Sequence, residues 1–98
     1  MKLIAISKTE GVDFNALKPH LRQEARAVWQ LYRAGVLREF YLRQDGPGVV
    51  LVFEAPSVDE VRERLAHLPL AQLGLIQFEV IPLGPLLSLE SLMAAEAA

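Results

Sequence analysis

Residues 49–53 (VVLVF) are apolar at every position, and this run constrains the fold more than any other feature of the sequence. Side chains alternate between the two faces of a β-strand, so a strand with one face in water alternates apolar and polar residues. Here Val49, Leu51 and Phe53 share one face, and Val50 and Val52 share the other. The run therefore predicts a sheet that is covered on both faces.

The remaining sequence predicts a strand, helix, strand, strand, helix, strand order. The first helix has Pro19 in its first turn and ends near Gly35, and the second begins at Ser57, with Glu60 completing a capping box. A turn at residues 44–48 (QDGPG) joins the two central strands as a hairpin. The four strands are predicted at residues 2–8, 36–43, 49–55 and 75–83.

Right-handed crossovers fold this order into a ferredoxin-like α+β domain, a four-stranded antiparallel sheet with both helices on one face. We expect residues 1–83 to form this single domain. Two helices leave the second apolar face bare, and a second copy of the chain is the simplest cover. The sequence therefore predicts a homodimer, closed sheet against sheet as a dimeric α+β barrel and open to further assembly.

Composition excludes several classes of function. The formal charge is −2 and basic residues are dispersed, which argues against a nucleic-acid partner. The chain has no cysteine, which removes disulfides and thiolate metal sites, and His20 and His67 are too far apart for a local metal motif. No apolar stretch approaches the ~20 residues that span a bilayer. We expect a cytoplasmic protein that binds neither membrane, metal nor cofactor.

Polar residues interrupt the apolar strands at a few positions. Alternation places Glu39, Tyr41 and Arg43 on the side of Leu37, with Arg38 on the other side. On the last strand Gln77 and Glu79 share a side. If these side chains converge inside a barrel, they form a polar site in an apolar cavity, where desolvation adapts a glutamate to proton transfer. The alternative is a set of solvated or cross-paired strand residues.

The predicted apolar stripe of the first helix contains Leu21, Ala25, Val28, Trp29 and Tyr32. Within this stripe, Trp29 is expected to be either a core residue or a ligand contact. Glu24 of the same helix is interpreted as a surface or paired carboxylate.

Residues 35–83 resemble the muconolactone isomerase-like branch of the dimeric α+β barrel superfamily. The similarity lies in Gly35 and the following VLREFY, in Asp45-Gly46, in Leu68-Pro69-Leu70 and in residues 78–83 (FEVIPL). The resemblance implies dimers and a cofactor-free shift of a double bond in a five-membered lactone. The second strand departs from the family pattern, because Leu37 and Tyr41 replace tryptophans and Glu39 replaces a histidine.

Two functions are compatible with these features. In a cofactor-free isomerase of a small lactone or acid, Glu39 or Glu79 would shuttle the proton and Tyr41 and Gln77 would hold substrate oxygens. Arg38 or Arg43 would balance a substrate carboxylate, and Trp29 completes the candidate binding residues. The other function is a non-catalytic barrel that binds a small molecule or serves in assembly.

Residues 84–98 form a tail or a short helix with Leu86, Leu89, Leu92 and Met93 on it. Either this segment frays, or it docks on a neighbouring subunit, which we favour because four large apolar side chains would otherwise face water.

Overall fold

The computed structural model describes residues 1–8, 11–86 and 89–97. Within these ranges the strands are β1 (Lys2–Ser7), β2 (Leu37–Leu42), β3 (Val49–Glu54) and β4 (Phe78–Leu83). The helices are α1 (Phe14–Leu17), α2 (Leu21–Arg33), α3 (Val58–Ala66), α4 (Pro69–Gln72) and α5 (Leu89–Ala97), and a 3₁₀ turn, Lys18–His20, separates α1 from α2.

The strands form one antiparallel sheet in the order β2-β3-β1-β4. Leu3 at its centre pairs with Phe53 on one side and Pro82 on the other. This is the ferredoxin-like arrangement that the element order predicted, and the fold prediction is confirmed. None of the described helices is long and apolar enough to cross a membrane.

The two faces of the sheet differ in cover. On the face that we call the helix face, Leu3, Ala5, Leu51 and Phe53 are buried and pack in one cluster with residues of α2 and α3. On the opposite face, the open face, the alternate residues of β1, β3 and β4 are partly exposed. These residues include Ile4, Ile6, Val50, Val52 and Ile81.

A β-bulge in β2 changes the predicted sidedness of that strand. Leu37 pairs with Phe53 but Glu39 pairs with Val52, so three residues of β2 oppose two of β3. Leu37 is consequently buried on the helix face, whereas Glu39 and Tyr41 lie on the open face. The prediction that Leu37 shares their side was wrong, because strict alternation does not hold across a bulge.

Helix α2 presents a different face to the sheet from the one predicted. Ala27, Val28 and Leu31 pack against the core, whereas Trp29 is 53% exposed. The buried stripe is therefore rotated from the predicted one and also contains the half-buried Glu24.

The predicted cap of α3 and the end of α2 at Gly35 are confirmed, whereas Pro19 lies in the 3₁₀ turn before α2 and not in the first turn of that helix. The Ser57 hydroxyl accepts the Glu60 N–H at 3.2 Å and caps α3. Gly35 follows α2 with φ +78°, a left-handed conformation that favours glycine. Strand β4 begins three residues later than predicted, because residues 73–77 form the exit from α4 instead.

Candidate functional site

A cleft of about 390 Å³ lies between α2 and the helix face of the sheet. Its walls come from α1, α2, β2, β3, α4 and the approach to β4, and they are almost entirely aliphatic and aromatic. The lining residues are Leu17, Leu21, Glu24, Val28, Phe40, Tyr41, Leu42, Val49, Leu51, Leu70, Ile76 and Phe78.

Glu24 supplies the one carboxylate in this lining. It lies one turn into α2, on the helix stripe that faces the sheet, and is half-buried. Its Oε1 accepts a hydrogen bond of 3.1 Å from the backbone N–H of Leu70. Among the described residues no hydrogen bond to its second carboxylate oxygen is found, so that oxygen is available to a ligand in the cleft.

The Leu68-Pro69-Leu70 segment provides the donor for Glu24. Pro69 is the first residue of α4 and has no N–H, so Leu70 carries the first free backbone N–H of that helix. The Leu70 side chain is buried at 3% exposure, which fixes the backbone beside α2. The sequence motif thus positions a carboxylate that lies 46 residues earlier in the chain.

The apolar surroundings change the acidity of Glu24. Burial raises the pKa of its carboxyl group, and the hydrogen bond from Leu70 N–H opposes part of that rise. A carboxyl group with a raised pKa exchanges protons more readily near neutral pH than an ordinary glutamate does.

An aromatic groove of about 360 Å³ adjoins the cleft and shares Leu21, Glu24, Val28 and Phe40 with it. The Trp29 and Tyr32 rings stack with centroids 5.5 Å apart, and Tyr32 meets Phe40 edge-on at 5.7 Å. Trp29, a predicted ligand contact, therefore lies beside Glu24, in the aromatic wall of this groove.

The predicted catalytic carboxylates lie on the open face. The Tyr41 hydroxyl donates to Glu39 Oε1 at 2.6 Å, and this hydrogen bond raises the pKa of the Tyr41 phenol. Glu79 lies on β4, the opposite edge strand, where it pairs with Ile6 of β1. Three strand spacings separate the two edges, or about 14 Å. Within one chain the structure brings Glu39 and Tyr41 together but not Glu39 and Glu79.

The other predicted binding residues lie apart from Glu24. The Arg38 Nε donates to the Gly35 carbonyl at 2.6 Å. Arg43 makes a bidentate ion pair with Asp45, at 2.9 and 2.7 Å, and donates to the Ser7 carbonyl. Gln77 is exposed just before β4, and its carbonyl accepts the Lys8 N–H. Across the described ranges, no group of three or more His, Asp or Glu side chains could hold a metal ion.

Sequence reasoning missed Glu24, although its spacing carried a signal. Leu17, Leu21, Glu24, Val28 and Leu31 are separated by steps of four, three, four and three, which is the spacing of one buried helix face. A carboxylate within such a stripe is unusual, because burying a charge is costly. The predicted stripe begins at Leu21 and passes through Ala25, so that Glu24 is interpreted from the sequence only as a surface or paired carboxylate.

Comparison with solved structures shows the same fold in two enzymes. One is the 5-chloro-2-hydroxyhydroquinone dehydrochlorinase of Burkholderia phenoliruptrix AC1100 in complex with 2,5-dihydroxybenzoquinone. It has a TM-score of 0.72 and 17% identity, over 86% of this chain and 94% of that one. The other is a muconolactone isomerase, with a TM-score of 0.70 and 22% identity, over 90% of this chain and 93% of that one.

Comparison with curated protein sequences gives no match. The family model for muconolactone delta-isomerase, in contrast, matches residues 4–88, which include all of the sheet except Lys2 and Leu3, together with α1 to α4 and the Glu24 cleft. The resemblance noted from the sequence is thereby confirmed, and the chain belongs to the muconolactone delta-isomerase family.

Proposed function

We propose that the protein is a cofactor-free isomerase that moves a proton on a small ring compound bound in the cleft beside Glu24. The observation that carries this proposal is a single half-buried carboxyl group in an otherwise apolar cleft. The cleft volume of about 390 Å³ falls within the ~300–1,000 Å³ of small-molecule sites. Family membership supports the same reaction class.

The proposed step needs only one group that both accepts and returns a proton. The ionised Glu24 carboxylate takes the proton from the sp³ ring carbon at the far end of the lactone's conjugated double bond, and the electrons of that C–H bond form a dienolate. The Glu24 carboxylic acid then gives the proton back at the carbon next to the carbonyl. The ring double bond has moved, and the enzyme returns to its starting state.

Leu70 acts in this scheme as a positioning residue. Its N–H holds Glu24 Oε1, so the second oxygen can be directed at the substrate. A fixed carboxylate loses little freedom when it reacts, and positioning of this kind contributes substantially to enzymatic rates.

The test is hydrogen exchange of lactones in D₂O, followed by proton NMR. The probes are muconolactone and the methyl-substituted butenolide β-angelica lactone. We expect Glu24→Gln to lower the rate of the exchanged probe by about 10²–10⁴-fold, the usual contribution of a general acid–base group. Glu63→Gln removes an exposed carboxylate of α3 and should leave the rate unchanged. Undiminished exchange in Glu24→Gln would refute the role of Glu24.

A non-catalytic binding protein is the second candidate function. It is favoured by the scarcity of donors in the cleft: apart from Tyr41, whose hydroxyl is bonded to Glu39, the described lining offers no side-chain donor for an enolate oxygen. A lactone that binds to the wild type and to Glu24→Gln alike, without exchange in either, would favour this function.

We further propose that a second copy covers the open face, which supports the expected homodimer. The face carries partly exposed Ile4, Ile6, Val52 and Ile81 at its centre, an apolar surface of the kind that marks an interface. A catalytic role for Glu39 and Glu79 depends on this assembly, because only a second copy can bring carboxylates from opposite sheet edges to one site.

The same assembly offers a place for α5. Leu86, Leu89, Leu92 and Met93 are all more than half exposed in the single chain. We propose that residues 84–98 pack on a neighbouring subunit, where these side chains leave water.

A further inference from the structure

The charges around the cleft are unbalanced. Glu24 is the one residue of its lining that carries a formal charge at neutral pH, and no Lys, Arg or His is found among the described residues that form the walls. An anionic substrate entering this cleft would lose water and would find no cation in the walls.

The arginines considered for a substrate carboxylate and those of α2 lie outside the cleft lining. Arg43 is paired with Asp45, Arg38 is bonded to the Gly35 carbonyl, and the arginines of α2 are exposed on the side away from the sheet. Residues 9, 10, 87, 88 and 98, which lie outside the described ranges, are Thr, Glu, Leu, Ser and Ala in the sequence. They contain no cation that could complete the site.

Closure by a neighbouring subunit's tail would not supply a cation either. Residues 84–98 contain Glu90 and Glu96 and no Lys, Arg or His. If this segment packs over the aromatic groove of another copy, it adds apolar surface and negative charge. The site then becomes less favourable for an anion.

Two physical costs oppose a substrate carboxylate in this cleft. Burying an ionised group without a partner is expensive, and a second negative charge near Glu24 disfavours the charged form of both groups. An uncharged ring meets neither cost and gains from burial against Leu17, Phe40 and Phe78.

We infer that the Glu24 cleft takes an uncharged ring compound, such as a neutral butenolide or cyclic enone, and discriminates against analogues that carry a carboxylate. This inference rests on the proposed function and specifies its substrate class. It gives this chain a selectivity different from that expected of an enzyme for an acidic lactone, for which the sequence had assigned Arg38 or Arg43 as the counter-charge.

Three probes with one ring test the inference: muconolactone, its methyl ester and β-angelica lactone. The first is an anion at pH 7, and the other two are neutral. We expect at least a tenfold higher kcat/KM for hydrogen exchange, and tighter binding in an NMR titration, for the neutral probes. Faster exchange or tighter binding of the acid would overturn the inference and leave proton transfer by Glu24 intact.

The remaining outcomes separate the two proposals. Neutral probes that bind more tightly than the acid but do not exchange would support the inferred selectivity and overturn the isomerase function. Failure of all three probes to bind would overturn both proposals.

Two variants at Leu42 provide an independent test of the charge-based selectivity. Leu42 is 74% exposed at the rim of the cleft, so a polar replacement is compatible with folding. Leu42→Lys places a cation there, and Leu42→Gln changes the polarity without the charge. We expect Leu42→Lys to raise the acid-to-neutral ratio of kcat/KM several-fold over Leu42→Gln. Equal ratios in the two variants would contradict the charge-based selectivity.

Discussion

Aliphatic residues and a glutamate are found on both sides of the sheet, but the helix face and the open face give them different environments. On the helix face, Leu3 and Phe53 are fully buried and Glu24 is half-buried from the opposing helix. On the open face, Glu39 is exposed and accepts a hydrogen bond from Tyr41, also exposed. The degree of burial therefore separates the two glutamates: burial raises the pKa of Glu24, whereas Glu39 forms a hydrogen bond at the surface.

The largest effect is expected from truncating the buried face. Phe53 has no exposed surface, and Phe53→Ala should lower the free energy of unfolding by about 3–5 kcal/mol. Its neighbour Val52 lies on the open face, and Val52→Ala should lower it by about 1 kcal/mol. Urea denaturation at one protein concentration measures both. Equal losses would show that the two faces are packed alike in the native assembly.

A charge on the open face should have the next largest effect. Val52→Lys puts an uncompensated cation at the centre of the proposed interface, at a cost of at least about 3 kcal/mol, or about 100-fold in the dimer dissociation constant. Gln30→Lys adds the same charge to an exposed position of α2 and is the control. Analytical ultracentrifugation distinguishes the outcomes. Identical masses for Val52→Lys and the wild type at all concentrations would exclude this face as the interface.

The smallest effect is expected for the pH dependence of thermal stability that Glu24 causes. Its raised pKa means that its contribution to stability is full below the unfolded-state pKa and is lost as the pH rises through the folded-state value. Glu24→Gln should therefore melt higher than the wild type at pH 7, by a few degrees, and lose this advantage when both are compared at pH 4. Thermal unfolding followed by circular dichroism measures the difference.

Glu63→Gln provides the matched control for that measurement, because Glu63 is exposed on α3. A constant melting difference between Glu24→Gln and the wild type from pH 4 to pH 7 would contradict the assigned effect of burial.

Much of the fold could be predicted because it depends on local patterns. The turn residues at 44–48, the Ser57 cap and Gly35 mark where the elements end, and the apolar run at residues 49–53 marks strand β3. These signals act over a few residues, so a single sequence contains them. The family resemblance came from the same segments.

The site was harder to predict because it depends on contacts between distant residues. Glu24 acquires its environment from Leu70 and from the strands beneath α2, and its own neighbours in sequence are polar or small. The bulge of β2 also escaped prediction, since VLREFY contains no glycine or other residue that marks an irregular strand. Alternation therefore predicts candidate residues on the strands, whereas the sequence around Glu24 predicts only a surface or paired carboxylate.

The bulge in β2 also has a consequence for how this chain tolerates changes in length. Arg38 is the residue of β2 without a partner in β3, so deleting it would restore regular alternation and leave Phe40 opposite Leu51 and Glu39 opposite Val52, as they are now. Strand β1 has no such spare residue in its pairing with β3, so a deletion within it would move every later side chain of that strand to the other face. A single lost codon would thus be tolerated at Arg38, whereas in β1 it would exchange the buried and open sides of the strand.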